Sequence, residues 1–190
     1  MIPFTDNSAH VTDDFCTERR LAETIRFIHP VDFYNRTWLD VGEPNHVCDR
    51  IEEIVYRKAE HTLGDLNARL IGVVGDGYRV VTCFEVVEHI MNPLNLMLSI
   101  RYYMASGGVL YLSTPVHNRF GFYFNETNHF TEYKESSLRT LVEYAGFKIT
   151  DYHQFKSIPF WQGMKQGGGL FRTALRVSSQ RTQILRAVKI

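Results

Sequence analysis

Residues 78–115 read YRVVTCFEVVEHIMNPLNLMLSIRYYMASGGVLYLSTP. Val80 and Val81 sit in an apolar strand that runs into an acidic turn carrying Glu85, Glu88 and His89. Asn92 and Pro93 suit the opening of an amphipathic helix, one as a capping acceptor and the other as a first-turn proline. Gly107 and Gly108 suit its close, where a left-handed exit is needed. A second apolar strand, residues 109–113, ends at Thr114 and Pro115. The stretch is a strand–helix–strand unit with polar side chains at the carboxyl end of both strands. Ligands of open α/β sheets bind at that edge.

The same alternation extends in both directions. Leu21, Ile25 and Ile28 recur at helical spacing over 17–28, and His29-Pro30 ends that helix. Residues 37–41 form a short buried strand. A helix follows over 46–58, with Val47, Ile51, Ile54 and Val55 inward and Asp49, Arg50, Glu52, Glu53 and Arg57 toward water. Residues 61–66 read as a strand that ends at Gly64-Asp65, and Gly72, Gly75 and Gly77 mark a loop before residue 78. In the helix after Pro93, Leu94, Leu98 and Arg101 share a face. Beyond residue 134, a helix over 135–145 has Leu138, Leu141, Val142 and Ala145 inward and Gly146 as its stop. Strands at 147–155 and 184–190 complete the chain. Strands alternating with helices predict an α/β fold, a doubly wound and mostly parallel sheet. At 190 residues the simplest organisation is one domain, with residues 1–16 as a flexible arm.

Formal net charge is zero and hydrophobic content is 44%, so nothing global argues for nucleic acid while a real core is available. The aromatic run Phe120, Phe122, Tyr123 and Phe124 has only Arg119 among it, which also argues against a nucleic-acid surface. It either lines a sugar-stacking wall or packs on itself. No apolar run is long enough to span a bilayer, and the first residues lack the features of a signal peptide. Three widely spaced cysteines, Cys16, Cys48 and Cys83, fit free thiols in a reducing compartment, hence the cytoplasm. Cys83 reads either as a small buried hydrophobe or as a nucleophile. No metal is expected, because Glu85, Glu88 and His89 lack the paired spacing of a zinc helix.

In their wording, Phe84-Glu85-Val86-Val87-Glu88-His89, Asn92-Pro93-Leu94, Gly107-Gly108 and Leu112-Ser113-Thr114-Pro115 resemble the fourth and fifth strands of class I S-adenosylmethionine-dependent methyltransferases. His129-Phe130-Thr131-Glu132-Tyr133 and Ala145-Gly146-Phe147 are similar to the next stretch of that family, and Trp38-Leu39-Asp40-Val41-Gly42 to its first strand and loop. The resemblance implies a Rossmann-like sheet with one antiparallel C-terminal strand, and S-adenosylmethionine as cofactor. It places Asp40, Gly42, Glu43, Asp65, Phe84 and Glu85 around the cofactor and His117, His129 and Tyr133 near the acceptor. His89 becomes the general base, or else it and Glu88 cap the following turn. Asp65 serves the ribose or adenine, or is simply a turn residue. The implied reaction is methyl transfer to an oxygen or nitrogen of a small or saccharide-like acceptor.

Three departures mark this chain. The loop Asp40–Asn45 keeps one glycine where the family shows three, and Pro44 removes a backbone donor. Gly42 and Glu85 are only 43 positions apart, so one strand–helix pair looks missing or abbreviated. Arg79 stands where an aromatic–Asp pair is common. These departures motivate a second reading: a non-catalytic member of the fold that serves as a binding or assembly subunit, with a stable partner or a homodimer made through its tail and aromatic loop. A nicotinamide-binding protein is disfavoured by the absent GxGxxG. All seven ionisable side chains of fixed charge after Asp151 are basic, which either solvates a surface or attracts an anionic acceptor. Residues 156–180, with Trp161 and Gly167-Gly168-Gly169, read as a lid over the carboxyl edge or as a fixed link between strands.

Overall fold

The computed structural model describes residues 14–68, 71–116, 129–156 and 181–190. Helix α1 spans Asp14–Phe27, a short 3-10 turn Pro30–Asp32, strand β1 Trp38–Asp40, helix α2 His46–Val55 and strand β2 Glu60–His61. Strand β3 covers Tyr78–Phe84, a second 3-10 turn Val87–His89, helix α3 Pro93–Tyr103 and strand β4 Met104–Pro115. Helix α4 is Glu135–Tyr144, strand β5 Phe147–Lys156 and strand β6 Arg181–Lys189. Residues 1–13 of the expected arm, the aromatic loop with His117, and nearly all of the expected lid lie outside the described residues, while residues 14–16 of that arm belong to α1.

One six-stranded sheet has the order β2-β1-β3-β4-β6-β5. Strands β2, β1, β3 and β4 are parallel. Strand β6 runs antiparallel to both neighbours, so β5 points the same way as β4. The mixed sheet with one reversed C-terminal strand is the one expected. Between β2 and β3 the described residues hold only a single bridge, Leu63 with Gly72. The two-residue β2 therefore forms the edge, and the sheet is short on that side, as the spacing from Gly42 to Glu85 implied.

Period-two alternation divides the central strands between two cores. Val81 and Cys83 of β3, Leu110 and Leu112 of β4, and Leu185 and Ala187 of β6 face α3 and α4, meeting Met97, Ile100, Leu138 and Val142. Val80 and Phe84, Val109 and Tyr111, and Ile184 face α1 and α2, meeting Ile28, Cys48 and Ile51. Helices thus cover both faces. Two local readings change. In α3 the inward residues are Leu96, Met97 and Ile100, while Leu98 is 48% exposed, because the helix is rotated by its run of adjacent apolar side chains. And α3 stops at Tyr103, with Met104 already extended. Gly107, at φ +69°, bends the start of β4 rather than ending a helix. Gly146 does follow α4 at φ +86°, where a Cβ would sit 2.5 Å from Arg101 Nε.

Glu52, read as solvent-facing, is buried. It accepts from Lys58 Nζ and from Ala59 N at 2.9 Å, which fastens the exit of α2 toward β2. A second buried carboxylate joins the sheet to the N-terminal segment. Asp32 accepts a two-pronged pair from Arg186, Nε to Oδ2 at 2.8 Å and Nη2 to Oδ1 at 3.1 Å. Tyr111 Oη donates to Asp32 Oδ2 at 2.6 Å and accepts from His29 N at 3.1 Å. Burial works to raise the Asp32 carboxyl, but the bonds from Arg186 and Tyr111 outweigh it and hold the group below its ordinary value of 3.8.

Replacing Asp32 with Asn takes the two-pronged counter-charge from the part-buried Arg186, leaving it the ion pair with Asp151 at 3.8 Å, and should cost about 1–3 kcal/mol in urea unfolding at pH 7. The folded-state value of Asp32 is depressed, so its stabilisation is full above pH 3.8 and lost as pH falls through the lower folded value. The gap between wild type and Asp32→Asn should therefore close in acid. A gap that does not depend on pH would contradict the assignment.

Candidate functional site

The site begins where β1 ends. Val41 N donates to Thr82 O at 2.8 Å, which carries the β1–β3 pairing one residue further. Gly42 then turns at φ +125°, and a Cβ there would meet Val86 Cγ2 at 3.2 Å. Its N–H donates to Thr62 Oγ1 at 3.0 Å. Asn45 caps α2, accepting from Val47 N and Cys48 N at 3.0 and 3.1 Å while its Nδ2 donates to Glu43 O at 3.1 Å. A loop with one glycine and one proline is thus fully specified. Asn45 supplies locally the order that further glycines would otherwise allow a ligand to impose.

Opposite this loop, β3 ends at Glu85, which takes φ +55°. Glu85 N donates to Ser113 O at 3.1 Å. Its Oε1 accepts from Ser113 Oγ at 2.8 Å and its Oε2 from Arg20 Nη1 at 3.2 Å. Between the two walls lies a cleft of about 540 Å³ whose lining includes Arg20, Gly42, Glu43, Asn45, Phe84 and Glu85. That volume lies in the range of small-molecule and cofactor sites, 300–1,000 Å³ by order of magnitude, roughly. The single cradle glycine, two carboxylates and one guanidinium fit a ligand carrying both a positive centre and a carboxylate.

Four expected residues, Gly42, Glu43, Phe84 and Glu85, meet in this cleft. Asp40 lies beneath the loop instead, 1% exposed. Thr82 Oγ1 donates to Asp40 Oδ1 and accepts from Trp38 Nε1 at 2.9 Å. Burial pushes the Asp40 carboxyl up to about 7, against hydrogen bonds from Thr82 and Cys48 that work to lower it. Asp65 is exposed and accepts from Asn67 N at 2.8 Å, the geometry of an Asx turn, and is not among the cleft-lining residues. Cys83 is fully buried, and burial pushes its thiol well above the ordinary value, as befits an inert core thiol.

Arg20, Thr24, His46, Ser113 and Thr182 also line the cleft and were not singled out from the sequence. One signal was available for the first two. Arg20 and Thr24 stand one helical turn apart, a polar stripe beside the apolar one.

Beyond Glu85 the chain turns so that Glu88, His89 and His129 come together. Phe130 N and Thr131 N both donate to Glu88 O, at 2.8 and 3.2 Å. The rings of His89 and His129 meet edge to face, 4.8 Å between centroids. Thr114 Oγ1 donates to a Glu88 carboxylate oxygen at 2.9 Å. Burial, with the nearby charge of Glu85, pushes the Glu88 carboxyl well above its ordinary value. Burial also holds His129 below its ordinary value, His89 adding to the effect. Tyr133 is 4% exposed, its hydroxyl buried without a hydrogen-bond partner; burial pushes that hydroxyl up to about 12. Among the described residues two groups of donors stand close enough to hold a metal: Asp40, Cys48 and His61 below the loop, and Glu88, His89 and His129, none of which is among the cleft-lining residues.

Of the four described basic residues after Asp151, Lys156 is exposed and the other three are engaged within the fold. Arg186 pairs with Asp32, Lys189 Nζ donates to Arg101 O at 2.7 Å and also to Met104 O, and Arg181 Nη1 donates to Gln154 Oε1 at 3.3 Å.

No curated protein sequence matches the chain. Solved structures share its fold. An S-adenosylmethionine dependent methyltransferase from Mesorhizobium loti superposes with a TM-score of 0.60 at 10% identity, over 93% of this chain and 99% of that one. One from Archaeoglobus fulgidus gives 0.60 at 14% identity, over 90% and 94%. A phosphoethanolamine N-methyltransferase from Haemonchus contortus, in complex with phosphomonomethylethanolamine and S-adenosylhomocysteine, gives 0.60 at 10% identity, over 90% of this chain and 52% of its own. At these identities the likeness is one of fold. The profile of a protein family described as a methyltransferase domain matches residues 16–152, well over half of the sequence. The chain therefore belongs to the methyltransferase domain family, whose cofactor is S-adenosylmethionine.

Proposed function

We propose that this protein transfers a methyl group from S-adenosylmethionine to an oxygen or nitrogen of a small or saccharide-like acceptor. The observation that carries the reading is the cleft at the carboxyl edge of the sheet, where Gly42 and Glu85 face each other across about 540 Å³. When bound, the cofactor supplies an electrophilic methyl group on a positively charged sulfur. Glu43 and Glu85 offset that charge and the ammonium. Arg20 meets the carboxylate of the methionine part, exchanging some of its contact with Glu85 for the ligand. Gly42 permits close backbone approach, and Phe84 supplies apolar wall. His89 and His129 stand on the β4 side, where the acceptor would enter, and His89 takes the acceptor's proton. Most of the rate would come from alignment of the acceptor with the methyl group, with modest base assistance. The ion pair with Asp32 takes Arg186 out of any attraction of an anionic acceptor, whereas Arg181 and Lys189 bond neutral oxygens and keep their charge.

Calorimetric titration with S-adenosylhomocysteine tests the cleft. Saturable one-to-one binding is expected, and Glu85→Ala or Arg20→Met should each weaken it about tenfold or more, as losing a charged hydrogen-bonding partner does. No detectable heat at millimolar ligand would remove the reading. The loop is tested separately by Gly42→Ala. A left-handed alanine against Val86 should cost about 1–3 kcal/mol of stability and weaken the same ligand. Unchanged thermal unfolding and affinity would show that the cradle does not need its glycine.

A further inference from the structure

Glu88, His89 and His129 each place one ligand-type atom within 4.8 Å of the others. They come from two chain segments, the turn after β3 and the stretch before α4, which the paired bonds from Phe130 N and Thr131 N to Glu88 O lock together. Glu88 is 1% exposed, and its carboxylate is aimed by Thr114 at 2.9 Å. Among the described residues no lysine or arginine forms an ion pair with it. Nδ1 of His129 is buried with no hydrogen-bond partner, and the carboxylate oxygen recorded beside it, Glu132 Oε1, is 3.8 Å away, beyond hydrogen-bond reach. A buried carboxylate without counter-charge is costly. A divalent cation would offset that cost, taking the carboxylate charge and a lone pair from each ring. One carboxylate and two imidazoles are also the donor set that leaves coordination positions open for a substrate.

We propose that Glu88, His89 and His129 bind a divalent transition-metal cation whose open positions receive a hydroxyl oxygen of the methyl acceptor. The role assigned to the cation rests on the methyl-transfer reading; its binding does not. As a Lewis acid it lowers the pKa of the hydroxyl. The O–H proton passes to solvent, the oxygen forms its bond to the methyl carbon as the carbon–sulfur bond breaks, and the sulfur keeps the bonding pair. His89 then acts as a ligand rather than as a base, and the acceptor narrows to hydroxyl-bearing compounds.

Mn²⁺ is the probe. The whole chain, stripped of metal with a chelator, is titrated while the electron paramagnetic resonance of free Mn²⁺ is followed. One equivalent should bind saturably, and His89→Ala or His129→Ala should each weaken binding about tenfold or more with S-adenosylhomocysteine affinity unchanged. Spin-echo modulation from imidazole nitrogen on the unsubstituted protein supplies a readout that does not depend on the variants folding. Absence of saturable binding, bound Mn²⁺ without nitrogen modulation, or equal affinity in folded variants would overturn the site. Mn²⁺ binding without S-adenosylhomocysteine binding would uphold the site and remove its role in methyl transfer; the reverse pattern would remove the site alone.

Discussion

The upper edge of the sheet depends on one backbone conformation, the left-handed turn at Glu85. A non-glycine residue there costs on the order of 1–2 kcal/mol, and the structure offsets it three times. The residue's own N–H and one carboxylate oxygen both engage Ser113 of β4, and the other oxygen engages Arg20 of α1. That single residue therefore joins two strands and a helix. It also redirects the chain. Without the turn, Val86 to His89 would continue along β4; with it, Glu88 goes under the edge to Thr114 and His89 swings to His129. The cofactor wall and the proposed cation site are set by the same torsion.

Across the cleft the constraint is of another kind. The loop from Asp40 to Asn45 has little conformational freedom, because Thr62 holds Gly42 and Asn45 holds both Glu43 and the first turn of α2. A glycine-rich loop would be shaped by what it binds. This one is shaped before binding, so less ordering entropy opposes a ligand. It also accepts fewer ligand shapes, since its backbone has few alternatives.

Much of this was legible from residues alone. The two apolar runs at 80–83 and 109–113 could only be buried strands, and the acids and hydroxyls at their ends could only gather at one edge. Gly42, Glu43, Phe84 and Glu85, which the family resemblance grouped, line one cleft. Asp40 did not join them in the lining, because alternation along so short a strand gives no sense of which core an end residue enters. Arg20 escaped notice because it acts across 65 positions, and helical periodicity reports only which face is apolar. The meeting of His89 with His129 escaped for the same reason: two separate loops bring them together, and no spacing rule links residues that far apart. Gly107 misled because a glycine pair marks a break without saying whether helix or strand lies on its near side.

Strand β6 fills the gap between β4 and β5, pairing along its length with both. During synthesis β4 can pair with β3, but its other edge stays open, and β5 cannot join the sheet, until residues 181–189 have left the ribosome. Until then β4 presents a long apolar edge with open hydrogen-bonding groups, the kind of surface on which nascent chains associate wrongly. The contact between Asp32 and Arg186 spans 154 positions and likewise waits for β6. Such distant pairing makes folding slow relative to a chain of this size with local contacts. Holdase chaperones should therefore engage this protein in the interval between the emergence of β4 and that of β6.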